Sequence, residues 1–225
     1  MNNIVMQEHS FSDMSIPNLK VHPDARADQI KQQMLSERDN VIRTIARLEE
    51  ISYILLEHVR NNECKQTSPF DIAPVFVMRG GLILRLACKR LFPYAPCGMI
   101  TPYRNSSLDK PRIAYGNVPN LNSDGLYLLF DLLLATGATM IASLESLKRH
   151  VKSVANGISQ VMIVTPFAAE VGIKSVLKEF PGVVIHTIWH KEKVDAKNKM
   201  VGPGFDIGDY ALGGTSIQRV QWKDS

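Results

Sequence analysis

Between Asp131 and Thr139 the chain reads DLLLATGAT, one carboxylate followed after three leucines by small and hydroxylated residues. The run before it, Leu126 to Phe130, is short, apolar and large-residue rich, as a buried strand requires. After it, Met140, Ile141, Leu144, Leu147 and Lys148 recur at helical spacing. Strand, tight loop and helix N-terminus together make a phosphate cradle: orphan backbone N–H groups point out of the loop and the helix dipole favours an anion. Gly137 permits close backbone approach, and the Thr136 and Thr139 hydroxyls add donors. Asp131 cannot bind phosphate; it suits sugar hydroxyls or Mg²⁺. The same residues also fit a buried strand followed by a capped helix.

Two further stretches carry usable chemistry. Arg79-Gly80-Gly81 follows the apolar run Pro74 to Met78. The glycines leave amides open to an anion, and the guanidinium can fork onto phosphate oxygens. The alternative is a plain strand-helix turn with a surface Arg. Val201 to Gly214, VGPGFDIGDYALGG, is too rich in Gly, Pro and Asp for regular structure. Its backbone groups could read the edge of a flat heterocycle, or it could be only turns.

The elements that must hold these groups follow from periodicity. Residues 1–24 read as an irregular arm, with Pro17 and Pro23. Asp24 to Arg60 is helical in pattern, broken near Ser36 to Asn40, and amphipathic. Asn61 to Phe70 is linker-like. The spacing predicts a helix over Leu82 to Leu91, strands at Cys97 to Ile100, Val161 to Thr165 and Val183 to Ile188, and a helix over Glu170 to Phe180. Strands alternating with helices imply a mainly parallel sheet flanked by helices. The 19 residues from Ser106 to Asp124, polar in composition and without a strong period, read as a lid, arm or hairpin excursion. His186, His190, Trp189 and Trp222 are expected to be strand and surface residues.

Composition narrows the classes. With 225 residues, 45% hydrophobic and 21% charged, the chain suits one globular domain. A net charge of +4 without a dense basic run suits small anionic ligands and argues against nucleic acid. Cys64, Cys88 and Cys97 have no CxxC spacing, which points to neither a disulfide framework nor a zinc site. No apolar run reaches the roughly 20 residues of a membrane span, and MNNIVMQEHS lacks signal-peptide character. A cytoplasmic, membrane-free protein is the expectation.

Taken together, these stretches resemble the uracil phosphoribosyltransferases, type I enzymes that use phosphoribosyl pyrophosphate (PRPP). Met78-Arg79-Gly80-Gly81 stands for the family's L-R-A-G loop. Tyr103-Arg104-Asn105 stands for its Y-R-[DN], 25 residues on. Asp131 to Thr139 stands for D-P-M-L-A-T-G-G-S, and Val201 to Asp209 for the C-terminal I-[IV]-P-G-L-G-D-A-G-D. Ala168-Ala169-Glu170-Val171-Gly172 is also similar. The resemblance spans about residues 70 to 215. It departs from the family at Leu132 in place of proline, at Ala138 in place of glycine, at Gly202, and by one residue missing between Gly204 and Asp206.

The resemblance implies a type I phosphoribosyltransferase fold of the α/β class. Residues 25–225 would form one domain, with N-terminal helices at 25–60, core sheet at 70–190 and a base-binding loop at 195–215. It implies transfer of the phosphoribosyl group of PRPP to uracil, giving UMP and pyrophosphate in pyrimidine salvage. Arg79, Arg104 and Asp206 would be the catalytic residues. Arg79, Gly80, Arg104, Asp131, Ala135, Thr136, Gly137, Ala138 and Thr139 would bind PRPP. Val201, Asp206, Ile207 and Gly208 would read the base, and Asp206 would sit near a Mg²⁺–pyrophosphate. Mg²⁺ is the expected cofactor and a homodimer or higher homo-oligomer the expected assembly. The altered loop keeps open a relative acting on another base or heterocycle. A non-catalytic regulator that binds PRPP or a nucleotide is the third reading, disfavoured by retention of Arg79, Arg104, Asp131 and Asp206.

Overall fold

The computed structural model describes residues 16–37, 40–103, 110–122, 124–151, 160–196 and 200. Strands β1 (Leu19–Val21), β2 (Ile72–Val77), β3 (Gly98–Tyr103), β4 (Arg112–Asn117), β5 (Leu126–Phe130), β7 (Val161–Val164) and β9 (Val184–Thr187) form one sheet. Its order is β1-β9-β7-β5-β2-β3-β4. Every pairing is parallel except β3 with β4. The short strands β6 (Leu133–Leu134), β8 (Phe167–Ala169) and β10 (Trp189–Glu192) follow β5, β7 and β9 closely in the chain and build a second sheet, order β10-β8-β6.

Five helices cover the main sheet among the described residues: α1 (Ala25–Ser36), α2 (Val41–Glu63), α3 (Arg85–Leu91), α4 (Ala138–His150) and α5 (Glu170–Glu179). Strand alternation decides which helix meets which face. Ile72, Phe76, Leu128 and Phe130 pack in one cluster with α1, α2 and α3. Ala73, Val75, Val77, Tyr127 and Leu129 pack in another with α4 and α5. Both faces of β2 and β5 are therefore dry, which explains their unbroken apolar runs.

The break expected between Ser36 and Asn40 separates α1 from α2. Asp24 caps α1 by accepting from the Arg26 and Ala27 amides, and Asn40 caps α2. The hairpin excursion is also present: β4 returns antiparallel beside β3.

Three expectations need correction. The N-terminal arm is not irregular throughout, because Leu19–Val21 pairs with Ile185–Thr187 as an edge strand. Three residues are too few to show a period, and β9's main chain supplies the pairing. The helix expected from Leu82 starts at Gly80 as a 3₁₀ turn and becomes α-helical only at Arg85. His186 is fully buried, not at the surface. It faces His22, whose Nε2 lies 2.9 Å from His186 Nδ1, and His58 stacks on His22.

Candidate active site

The candidate residues converge because of topology. From β2 the chain moves to β3 on one side, whereas from β5 it moves to β7 and β9 on the other. Helix α3 packs on one face and α4 on the opposite one. Adjacent parallel strands whose connections diverge leave a crevice beyond their carboxyl ends, the usual ligand site of open α/β sheets. Phe76 pairs with Phe130, so Arg79 and Asp131 emerge side by side there. Arg79 is exposed to solvent, and the Met78–Arg79 peptide is cis.

The two loops touch. A methyl group placed on Gly80 would fall on Asp131 Oδ1 and 3.2 Å from the Leu132 nitrogen. On Gly81 it would lie 2.5 Å from the Phe130 carbonyl oxygen. Only glycines allow the Arg79 loop to lie this close to the end of β5. The Leu132 amide donates to Asp131 Oδ1 at 2.8 Å. Burial pushes the Asp131 carboxyl up to about 7, against the pull of the Leu132 and Leu133 amides. A carboxyl so desolvated is ready to ionise when hydroxyl donors or a cation arrive.

Helix α4 begins at Ala138 with Gly137 as its N-cap, at φ +84° and ψ −12°. No side chain caps this terminus, so its first amides, which have no intrahelical acceptor, face whatever enters the loop. Its last turn carries Lys148, Arg149 and His150, which completes the dipole pattern. The loop rests on α5. A methyl on Gly137 would lie 2.9 Å from the Gly172 carbonyl oxygen, and one on Gly172 would fall on the Ala135 carbonyl oxygen. Gly172 is thus a supporting residue that periodicity alone could not single out; the similarity at Ala168 to Gly172 was its only signal. Strand β6 pairs with β8 and holds the loop from its other end.

Asp131, the Arg79 loop and Ala135 to Thr139 therefore share one crevice. Arg104, Val201, Asp206, Ile207 and Gly208 lie outside the described residues. Tyr103, just before Arg104, ends β3 opposite Arg112 of β4. Met200, just before Val201, is buried with the α1–α2 core and bridges to Val194. Cys64 and Cys88 are buried, which pushes both thiols up to about 12 and makes them inert. Among the described residues no group of three His, Cys, Asp or Glu is arranged to hold a metal. A hollow of about 770 Å³ between β4 and α4 contains none of the candidate residues. No helix among the described residues is long and apolar enough to cross a membrane.

A family model described as uracil phosphoribosyltransferase matches residues 41–213. The uracil phosphoribosyltransferase of Clostridium kluyveri is 31% identical over 68% of this chain and 70% of its own length. That of Dictyoglomus turgidum is 29% identical over 74% of this chain and 84% of its own. Among solved structures, the AQ2163 protein of Aquifex aeolicus aligns with a TM-score of 0.75 at 19% identity, covering 88% of this chain and all of that one. The adenine phosphoribosyl transferase of Trypanosoma brucei aligns at 0.52 and 13% identity, covering 81% and 87%. Both structural likenesses concern the fold.

Proposed function

The chain belongs to the uracil phosphoribosyltransferase family, and from that membership we propose that it joins uracil to the ribose 5-phosphate of PRPP, giving UMP and pyrophosphate. It is a phosphoribosyltransferase, and the reaction follows from what the crevice offers. N1 of the base attacks C1 of PRPP, the C1–O bond to pyrophosphate breaks, and the N1 proton is lost. The leaving group is already good, so the protein's task is alignment and charge stabilisation rather than covalent help.

The amides of Ala135 to Thr139, with the Thr136 and Thr139 hydroxyls, receive the 5-phosphate at the start of α4. Asp131 accepts from the ribose hydroxyls and so orients C1. The amide of Gly80 and the guanidiniums of Arg79 and Arg104 take the diphosphate. Val201, Asp206, Ile207 and Gly208 read the base edge. Mg²⁺ fits the chemistry of this donor set: the hard carboxylate oxygens of Asp131 and Asp206 would help hold an ion that arrives with the diphosphate. When bound it supplies positive charge to the leaving group. The exposed Ile42, Phe70, Leu86 and Tyr94 favour a homodimer or higher homo-oligomer.

The observation that carries this reading is the meeting of the Arg79 loop and the Asp131–Thr139 cradle at the carboxyl ends of β2 and β5. The test is pyrophosphate release from PRPP and Mg²⁺ with a panel of bases. Release with uracil alone is expected. Release only with another base would move the activity to the second substrate class, which the altered Val201 to Gly208 segment motivates. PRPP binding without release with any base would contradict an enzyme.

A further inference from the structure

Helix α1 lies before residue 41, outside the stretch matched by the family model. Yet its side chains reach across the molecule to the strand from which the base-reading segment departs. Lys31 Nζ lies 2.7 Å from Glu192 Oε1, with the two side chains 15% and 7% exposed. The same ammonium stands 4.4 Å from the Trp189 ring centroid and 5.5 Å from that of Phe167. Trp189 stacks on Phe167 at 4.7 Å, and its Nε1 donates to Asp28 Oδ1 at 2.9 Å. Two α1 residues one turn apart thus grip both ends of β10.

That grip matters because β10 is weakly held by its own sheet. Among the described residues it is an edge strand paired only with β8, and its register shifts between Trp189 and Glu192. Beyond Glu192 the chain bridges Val194 to Met200, and Met200 is buried in the core that α1 and α2 share. Val201 is the next residue. To the main-chain pairing of β10 the ion pair and the indole add a link to α1.

We propose that Lys31 and Asp28, acting from α1 through Glu192 and Trp189 of β10, are positioning residues for base recognition. The proposal rests on the phosphoribosyltransferase reading above. Lys31→Met leaves the Glu192 carboxylate without its partner in a largely dry place, which should push β10 outward. Trp189→Phe keeps an aromatic ring on Phe167, removes the bond to Asp28 and weakens the contact with the Lys31 ammonium.

The test measures both KM values and native-state amide exchange in the full chain. For Lys31→Met the KM for the base should rise about tenfold or more, with the KM for PRPP within about twofold. Exchange at Val194 and Met200 should quicken about tenfold or more, with residues 126–148 unchanged. Trp189→Phe should shift the same quantities less. An unchanged base KM, or equal rises in both constants, overturns the proposal. If the wild type releases no pyrophosphate with any base, it is the enzymatic reading that fails. Exchange then decides by itself: unchanged protection at Val194 and Met200 overturns the anchoring, and faster exchange there upholds it.

Discussion

Gly80 lies directly against the Asp131 carboxylate, so closely that a β-carbon on Gly80 would occupy the place of Asp131 Oδ1. This contact joins two loops that are 51 positions apart in the chain. It makes Gly80→Ala a test of the shared crevice. The extra methyl must displace the carboxylate or the Arg79 loop, and overpacking of this kind costs about 1–3 kcal/mol. Turnover is expected to fall about a hundredfold, because a displacement near 1 Å at reacting groups has that effect. Steady-state kinetics beside a thermal melt checks it; wild-type kinetics would show that the two loops do not act together.

PRPP affinity should depend on Asp131 ionisation. Burial holds this carboxyl up to about 7, so it is largely neutral below that pH and charged above it. Ribose hydroxyls donate best to the charged form, so binding expels a proton. The PRPP dissociation constant should therefore rise up to about tenfold per pH unit as pH falls below 7, and level off above. Calorimetric titration of wild type against Asp131→Asn between pH 8 and pH 6 provides the check. The variant should bind weakly with a flat profile, and an identical slope in both would remove Asp131 from the site.

The cradle depends on α5 as well as on itself. Gly137 adopts φ +84°, which costs an L side chain about 1–2 kcal/mol, and a methyl there would also approach the Gly172 carbonyl oxygen at 2.9 Å. Gly172→Ala would press on the Ala135 carbonyl. Both variants should raise the KM for PRPP about tenfold or more. Gly172 carries no group for a ligand, so a normal KM in Gly172→Ala would mean that the loop is not seated on α5.

The histidine stack should make the fold acid-sensitive. His186 is fully buried, and desolvation lowers its ring to about 3; His22 is lowered for the same reason and by the neighbouring His58. Lys20, paired with Glu63, and Asp24, bonded to His58, are the charged groups around them. Rings held neutral in the fold stabilise it fully above the unfolded value of 6.5, and that contribution is lost as pH falls from there toward about 3. The slope should approach about 1.4 kcal/mol per pH unit for His186, with His22 adding to it in the same direction. Asp24, whose carboxyl the Arg26 guanidinium holds well down, contributes only below about 4, and Asp131, held up to about 7, adds stability as pH falls and opposes the rings, so pH 6.5 to 5 isolates the histidines only in an Asp131→Asn background. Urea unfolding at those two values in that background should show the decline, and His186→Gln should flatten it.

What the sequence made legible was set by the kind of signal each element carries. β2 and β5 are buried on both faces, so they appear as apolar runs, and the loops that follow them concentrate Gly, Thr, Arg and Asp. The break between α1 and α2 has capping residues on both sides. By contrast β1, β6, β8 and β10 are two to four residues long, which no period can reveal. His186 gave no warning of burial because its partner His22 lies 164 positions away. Gly172 is distinguished by the Ala135 backbone above it, a contact between distant segments that composition cannot express.

The central claim is that one crevice holds the sugar phosphate on the Asp131–Thr139 turn while arginine draws off the diphosphate. Its most direct test is uracil-dependent pyrophosphate release by the wild type, Arg79→Ala and Asp131→Asn, measured side by side with PRPP and Mg²⁺. The wild type should turn over, and each variant should lose about a hundredfold or more, equivalent to roughly 3 kcal/mol of transition-state stabilisation. Near-normal turnover in both variants would contradict the assignment.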